Sequence, residues 1–291
     1  LTMIGILPNY DLLMNIDMGQ MFYIGGRRGL LEFRLYSFAT IGYLFPFILT
    51  AYLTWKDYES PPVSRSILIV GLLFCLFVIA FSGRRALIAL IFISPILAWV
   101  FSFSVTSKRK QILKFLVYII IIVAISYLVN RYLMFIDLKV YWDLFVSAFE
   151  VKTDSGAMWR KKSFYALLND WAKSPLLGYG LGAVSSLPGG GVPWAYELTY
   201  LSLLFHTGIL GFLIYSLSVI WIFVKGFHII KSDSRMKNYL SPMLAGTLGF
   251  LIINSSNPYL EKYDYLWTIF LPIAMINIVL LQYKNKANVI T

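Results

Sequence analysis

Long apolar runs separated by polar stretches are the dominant pattern of the chain. The runs cover roughly residues 36–55, 66–82, 86–105, 112–130, 198–224, 239–254 and 264–282. A bilayer requires about 20 consecutive apolar residues for one helical crossing, and lipid does not tolerate the open edge of a sheet. The pattern therefore predicts an all-α, polytopic membrane protein with about seven transmembrane helices.

Short basic loops orient the predicted helices. Residues 108–114 and 225–237 are rich in lysine, and counting the spans puts both loops on one side of the membrane. The positive-inside rule makes that side cytoplasmic. The predicted regions are an outer segment 1–35, transmembrane helices 1–4 in 36–130, a large outer loop 131–197, and transmembrane helices 5–7 with a cytoplasmic tail in 198–291.

Composition agrees with a membrane protein. Apolar residues make up 59% of the chain and charged residues only 13%, whereas soluble domains carry about 25% charged residues. The net charge of +11 would suggest nucleic acid in a soluble protein, but here the basic residues lie mostly in loops, so we expect no nucleic-acid partner. Because the chain begins at Leu1 and shows no signal peptide, we expect it to be the C-terminal part of a longer protein.

The basic residues of the two predicted sides differ in type. The cytoplasmic side has 9 Lys and 3 Arg, whereas the outer side has 6 Lys and 7 Arg. Arginine is preferred where a planar, multi-donor group must hold phosphate or carboxylate. The outer arginines therefore predict an anionic substrate, although solvated loop charge and contact with lipid phosphates are the simpler alternatives.

Two arginine pairs lie close to predicted spans. Arg84 and Arg85 open the third span after Ser82, which is a candidate N-cap residue. A helix N-terminus is already partly positive, so two cations there favour a nearby anion. Arg27 and Arg28 lie among glycines that permit close approach to a ligand, but such a segment is also typical of a flexible connector.

Residues 158–172 of the outer loop have the periodicity of an amphipathic helix. Phe164, Leu167, Leu168 and Trp171 share one face, and Arg160 lies on that face one turn earlier. The lysines at 161, 162 and 173 are expected to face water. A cation on an apolar face needs a partner, so Arg160 predicts either a substrate anion, which we favour, or an ion pair with an outer carboxylate.

Glu197 immediately precedes the fifth span. A carboxylate at a helix N-terminus is stabilised by the helix dipole, which is a sufficient structural reason for its position. Alternatively, a carboxylate at a cavity wall is suited to take a proton from a hydroxyl group. His206 falls on the opposite helix face, where we expect a packed and hydrogen-bonded side chain. No clustered metal ligands are found, so we predict no metal and no cofactor.

Several short motifs follow one another in a recognisable order. They are Trp159-Arg160, Ser174-Pro175-Leu176-Leu177-Gly178-Tyr179-Gly180, Glu197 with Tyr200-Leu201, Gly208-Ile209-Leu210-Gly211, and Asn257-Pro258-Tyr259-Leu260. In this order and topology the chain, from about Arg27 onward, resembles the O-antigen ligase and polymerase superfamily. Members of that superfamily have additional spans and one large periplasmic loop near the C-terminus.

The resemblance implies an enzyme of the bacterial cytoplasmic (inner) membrane. Such proteins transfer a glycan from undecaprenyl pyrophosphate to a hydroxyl group of an acceptor, on the outer face, without metal. The arginines of the family correspond to Arg160 and to the pairs Arg84/Arg85 and Arg27/Arg28, and its catalytic position corresponds to Glu197. Expected partners are the lipid-linked glycan, membrane lipid and other polysaccharide assembly proteins.

Glu197 bears on the choice between two activities of the superfamily. Ligases that attach O-antigen to lipid commonly have His at this position, whereas Glu is more typical of repeat-unit polymerases. The sequence therefore favours a polymerase that joins lipid-linked oligosaccharide units, with a ligase as the alternative. A transporter of lipid-linked glycan is a second alternative, but the predicted spans hold almost none of the ionisable residues that mark transport paths.

Overall fold

The computed structural model describes residues 22–27, 30–35, 39–55, 61–82, 84–102, 155–189 and 192–290. Most of these residues are helical, as the apolar pattern predicted. The α-helices are α1 (Ile41–Thr54), α2 (Arg65–Phe81), α3 (Arg85–Ser102), α4 (Ser155–Trp171), α5 (Thr199–Ser232), α6 (Ser234–Asn254) and α7 (Trp267–Ile290), and two 3-10 turns (Tyr259–Glu261 and Tyr263–Tyr265) precede α7. The span predicted at 112–130 and the first part of the outer loop, 131–154, lie outside the described residues.

A β-hairpin in the outer segment was not predicted. Strand β1 (Phe22–Arg27) pairs antiparallel with β2 (Leu30–Leu35), and Arg27 is opposite Leu30 at the end of the hairpin. Gly25 and Gly26 therefore belong to a strand, which argues against the flexible connector given above as an alternative. The helical class still holds, because the other described elements are helices. Each strand has only six residues, and an apolar–polar alternation of that length does not distinguish a strand from irregular structure.

Two of the described helices are long and apolar enough to cross a membrane, which is fewer than the seven spans predicted. They are α5 and the Trp267–Asn285 part of α7. The apolar helix α1 has only 14 residues, and α2 has 17, both below the roughly 20 that one crossing requires. Length and composition therefore indicate membrane association, without supporting a seven-span topology.

Helix α6 packs against α1, α3, α5 and α7, and glycines allow it to approach α1 closely. A Cβ atom on Gly249 would lie 2.5 Å from Cγ of Pro46, and one on Gly246 would lie 3.0 Å from the Tyr43 ring. Small residues allow two helix backbones to approach in the same way in membrane proteins. Because its partners are helices, α6 does not need the apolar surface of a lipid-facing span.

The described helices expose apolar side chains and bury small polar ones. The apolar stripe of α5 consists of Leu210, Leu213, Ile214, Leu217, Ile220 and Val224, all exposed. Buried polar side chains include Thr50, Ser94, Ser202, Ser241, Thr247 and Thr268. A soluble protein rarely exposes a contiguous apolar surface of this kind, so the arrangement is the one expected of helices that face lipid.

Candidate functional site

Helix α4 confirms the amphipathic helix predicted at 158–172, but its buried face is rotated. Ser163, Leu167 and Asp170 are buried, and Leu167 packs against Tyr196 and Phe205, whereas Phe164 is exposed. The predicted apolar face was therefore wrong at Phe164. The lysines at 161, 162 and 173 are exposed, as predicted.

Asp170 explains the rotation of α4. Its carboxylate accepts hydrogen bonds from Lys173 Nζ at 2.8 Å and from the Ser186 backbone N–H at 2.6 Å. Burial by itself would raise the pKa of Asp170, but the bonds from Lys173 and Ser186 outweigh it and hold this pKa below its usual value. The ionised carboxylate therefore fastens the end of α4 to the loop that follows, with residue 170 turned inward.

Arg160 forms an ion pair with Glu197. The Arg160 Nε atom donates to Oε2 of Glu197 at 2.7 Å, and the two side chains are 37% and 51% exposed. The sequence left open whether Arg160 meets a substrate anion or an outer carboxylate, and the structure shows the carboxylate. The pair remains open to solvent, so a ligand can reach both residues.

Glu197 lies just before α5 and not in its first turn. The helix begins at Thr199, and the backbone N–H of Thr199 donates to the Glu197 carbonyl at 3.1 Å. The Glu197 side chain instead reaches Arg160 of α4. Its position is therefore explained by the contact with α4 more directly than by the helix dipole.

Arg84, just before α3, contacts Tyr259 in the first 3-10 turn before α7. The Arg84 Nη1 group donates to the Tyr259 hydroxyl, and its Cζ atom lies 5.6 Å from the centre of the Tyr259 ring. Ser82, expected to cap α3, instead ends α2 through a bond to the Ile79 carbonyl at 2.8 Å. Its hydroxyl oxygen accepts from the Arg84 backbone N–H at 3.2 Å and so fixes the turn that carries this arginine.

Burial and two nearby charges act on the pKa of Tyr259. Burial raises the pKa of Tyr259, Arg84 lowers it, and the negative charge of Glu197 raises it. The Glu197 charge reaches Tyr259 through space, so the Arg160–Glu197 pair and the Arg84–Tyr259 pair are neighbours in the fold, each with its own hydrogen bond. The importance of Tyr259 was missed from sequence, although the motif at 257–260 had marked the segment.

The structure describes less about the other three predicted arginines, Arg85, Arg27 and Arg28. Arg85 is half-buried at the first position of α3, next to Arg84. The backbone of Arg27 ends β1, and Arg28 lies outside the described residues. The structure therefore places Arg160 against Glu197 and Arg84 against Tyr259, and the roles predicted for Arg27 and Arg28 fall on side chains outside the described part of the chain.

Helix α5 is broken at Gly208, and residues 175–180 fill the break. Gly208 has a φ of 65°, which interrupts the helical hydrogen bonds on both sides. The carbonyls of Phe205 and His206 accept from Tyr179 and Gly180, at 3.1 and 2.8 Å. On the other side, the N–H groups of residues 209 and 210 donate to the carbonyls of residues 175 and 176, at 2.8 and 3.2 Å. The loop thus satisfies the backbone groups that the break releases.

His206 is packed beneath the same loop, in the role expected for it. Its Nδ1 atom lies 3.2 Å from the Ser202 hydroxyl and its Nε2 atom 3.1 Å from the Ala183 carbonyl. The ring is buried against Phe205 and Tyr196. Both ring nitrogens are occupied, so this histidine stabilises the loop and is poorly suited to proton transfer.

The chemistry of the site is that of two guanidinium groups and one carboxylate. Within the described residues, no group of three or more His, Cys, Asp and Glu could hold a metal ion. Comparisons with protein-family models, with curated proteins and with solved structures found no match. Over the described ranges, fold and site define a helical protein with two helices able to cross a membrane and a solvent-accessible arginine–glutamate pair.

Proposed function

We propose that the protein is a membrane glycosyltransferase that polymerises oligosaccharide units carried on undecaprenyl pyrophosphate. The observation that carries this proposal is the solvent-exposed contact between Arg160 and Glu197, two distant parts of the chain, with Arg84 held by the neighbouring Tyr259. Guanidinium groups bind phosphate, and a carboxylate can accept a proton from a sugar hydroxyl. Glu at 197, where ligases of the resembled superfamily commonly have His, favours polymerase over ligase.

The proposed reaction is a substitution at the anomeric carbon of the donor sugar. Glu197 takes the proton of an acceptor hydroxyl, and the acceptor oxygen forms a bond to the anomeric carbon. The bond from that carbon to the pyrophosphate oxygen breaks, and the pyrophosphate leaves with the electron pair. Arg160 and Arg84 stabilise the charge that develops on this leaving group.

Arg160 can contact the substrate while it still holds Glu197. The ion pair uses only Nε of the guanidinium, and the two terminal nitrogens carry four further N–H donors. A phosphate can bind those donors without breaking the ion pair. One side chain can thereby hold both the donor pyrophosphate and Glu197.

A multi-pass topology in the bacterial cytoplasmic membrane, with about seven spans, is part of the proposal. Contacts between distant residues support the predicted sides. Arg160 contacts Glu197 and Arg84 contacts Tyr259, and all four residues are predicted to be outside. Trp55, at the cytoplasmic end of the first predicted span, donates to the carbonyl of Asn238 at 2.6 Å, near the cytoplasmic start of α6.

We expect Arg160→Ala to reduce chain lengthening by about 10²- to 10³-fold, because one fixed donor to the developing charge is lost. Arg160→Lys retains the charge but not the fork of donors, so its activity should fall between that of the wild type and Ala. The measurement is the extension of lipid-linked repeat units by purified protein in detergent. Lys161→Ala, an exposed cation one residue away on α4, is the matched control. Equal activities of the Ala variant and the wild type would exclude Arg160 from the site.

We expect Tyr259→Phe to lower kcat/KM for the lipid-linked donor about tenfold, because a bond to a charged donor contributes about 1.5–3 kcal/mol. The variant keeps the ring beside Arg84 but removes the hydroxyl that positions the guanidinium. Tyr263→Phe is the control, since Tyr263 lies in the same loop and is 85% exposed. An unchanged kcat/KM for the donor would show that Arg84 does not need this contact.

A further inference from the structure

The break in α5 lies within the apolar part of the helix. Lys225 ends the apolar stripe of α5 on one side. A hydrocarbon core of about 30 Å corresponds to about 20 residues of helix. Counted back from Lys225, the core ends near Phe205, so Gly208 lies about 5 Å inside its edge. Residues 175–180, which bind the break, must lie at the same depth.

The loop has the backbone bonding that such a depth requires. Beyond its four bonds to α5, the Gly178 N–H donates to the Ser174 carbonyl at 3.0 Å, and the Ser174 hydroxyl donates to the Gly178 carbonyl at 2.9 Å. Irregular backbone at membrane depth is tolerated only where protein satisfies its polar groups. A loop in water would not need this degree of internal pairing.

Four apolar side chains in and just after the loop are exposed, whereas Tyr179 packs against Phe205. Leu176, Leu177 and Leu181 are 62%, 72% and 85% exposed, and Val184 is also exposed. Because the Leu210 N–H donates to the Leu176 carbonyl, the loop lies directly beside the exposed apolar stripe of α5. In water, so many exposed leucines on one short loop would be unfavourable.

We propose that residues 175–184 are inserted into the membrane, and that Leu176, Leu177 and Leu181 contact lipid acyl chains in the leaflet nearest the Arg160–Glu197 pair. The inserted loop would hold α4 against the membrane surface and so set the height of Arg160. The proposal depends on α5 crossing the membrane, and not on the glycosyl transfer proposed above.

The test is the depth of spin labels attached to single cysteines of the full chain. Cys75 is the single cysteine, so a Cys75→Ala background accepts Leu177→Cys and Leu181→Cys separately. Both positions are exposed, so neither label disturbs packing. Labels at Ile214, in the apolar stripe of α5, and at Lys161 provide the lipid and water references. The protein is reconstituted in vesicles of phosphatidylethanolamine and phosphatidylglycerol.

The measured quantity is the ratio of collision rates with oxygen, which concentrates in lipid, and with a water-soluble nickel chelate. We expect the ratios at 177 and 181 to approach that of Ile214 and clearly exceed that of Lys161. A ratio equal to that of Lys161 would overturn the proposal in favour of a loop in water. Labels protected from both reagents would also overturn it, because the loop would then be covered by protein.

Discussion

Glu197→Gln is expected to collapse the glycan size ladder to single repeat units, with about a 10²- to 10⁴-fold loss of the transfer rate. Glutamine has nearly the shape of glutamate, and its side-chain oxygen can still accept the hydrogen bond from Arg160 Nε. The variant therefore preserves the contact between α4 and the start of α5 and removes only the basic group. Cells whose sole full-length copy carries this substitution, with the protein level in the membrane verified, provide the measurement.

The matched control for this prediction is Asp264→Asn. Asp264 is an exposed carboxylate in the second 3-10 turn, on the same predicted side of the membrane, and it takes no part in the proposed reaction. We expect its ladder to match that of the wild type. A normal ladder for Glu197→Gln would leave Glu197 as a partner of Arg160 only, and the base would have to be another residue. Long polymer stranded on the lipid carrier would instead indicate the ligase activity.

Gly208→Ala is expected to destabilise the folded protein severely, to the point of poor recovery from detergent. Gly208 has a positive φ, which costs an L-residue about 1–2 kcal/mol. In addition, a Cβ atom there would lie 2.3 Å from the Leu176 carbonyl oxygen, which is backbone and cannot yield. Relief of this overlap would separate the loop from α5 and leave buried backbone groups unpaired. The apparent Tm in detergent, followed by size-exclusion chromatography after heating, measures the effect.

Gly180→Ala isolates the part of this effect that arises from the close contact. Gly180 also has a positive φ, 89°, but a Cβ atom there would meet nothing within 4 Å. Its substitution should cost only the backbone strain, about 1 kcal/mol, and lower the apparent Tm by a few degrees. If the two alanine variants were equally stable, the fit of the loop into the break would not contribute to stability.

The helical class and most helix positions followed directly from sequence, because apolar runs report local burial in lipid or protein. The predicted runs 36–55, 66–82 and 86–105 correspond to α1, α2 and α3 within a few residues. The run at 198–224 was recognised as well, but α5 continues to Ser232. The last residues of α5 are more polar, so the apolar run in the sequence stops before them although their backbone is helical.

Sequence was less successful where function depends on contacts between distant segments. It identified Arg160, Arg84 and Glu197 individually, from residue type and position. It could not choose between a substrate and a carboxylate as the partner of Arg160, since Glu197 is 37 residues away. The role of Tyr259, which is 175 residues from Arg84, was equally inaccessible. Such pairings depend on how helices pack, and periodicity carries no information about that.

The sequence by itself determined that the chain is helical and strongly apolar, and that outer arginines and Glu197 are the residues to examine. Local burial and charge depend on residue type alone, so a single sequence contains them. Only the tertiary structure decided that Asp170 turns α4 away from its most apolar face, that Arg160 meets Glu197, and that a glycine loop completes a broken helix. Each of these outcomes is a competition between contacts to distant segments, and the stronger hydrogen bonds prevail over local periodicity.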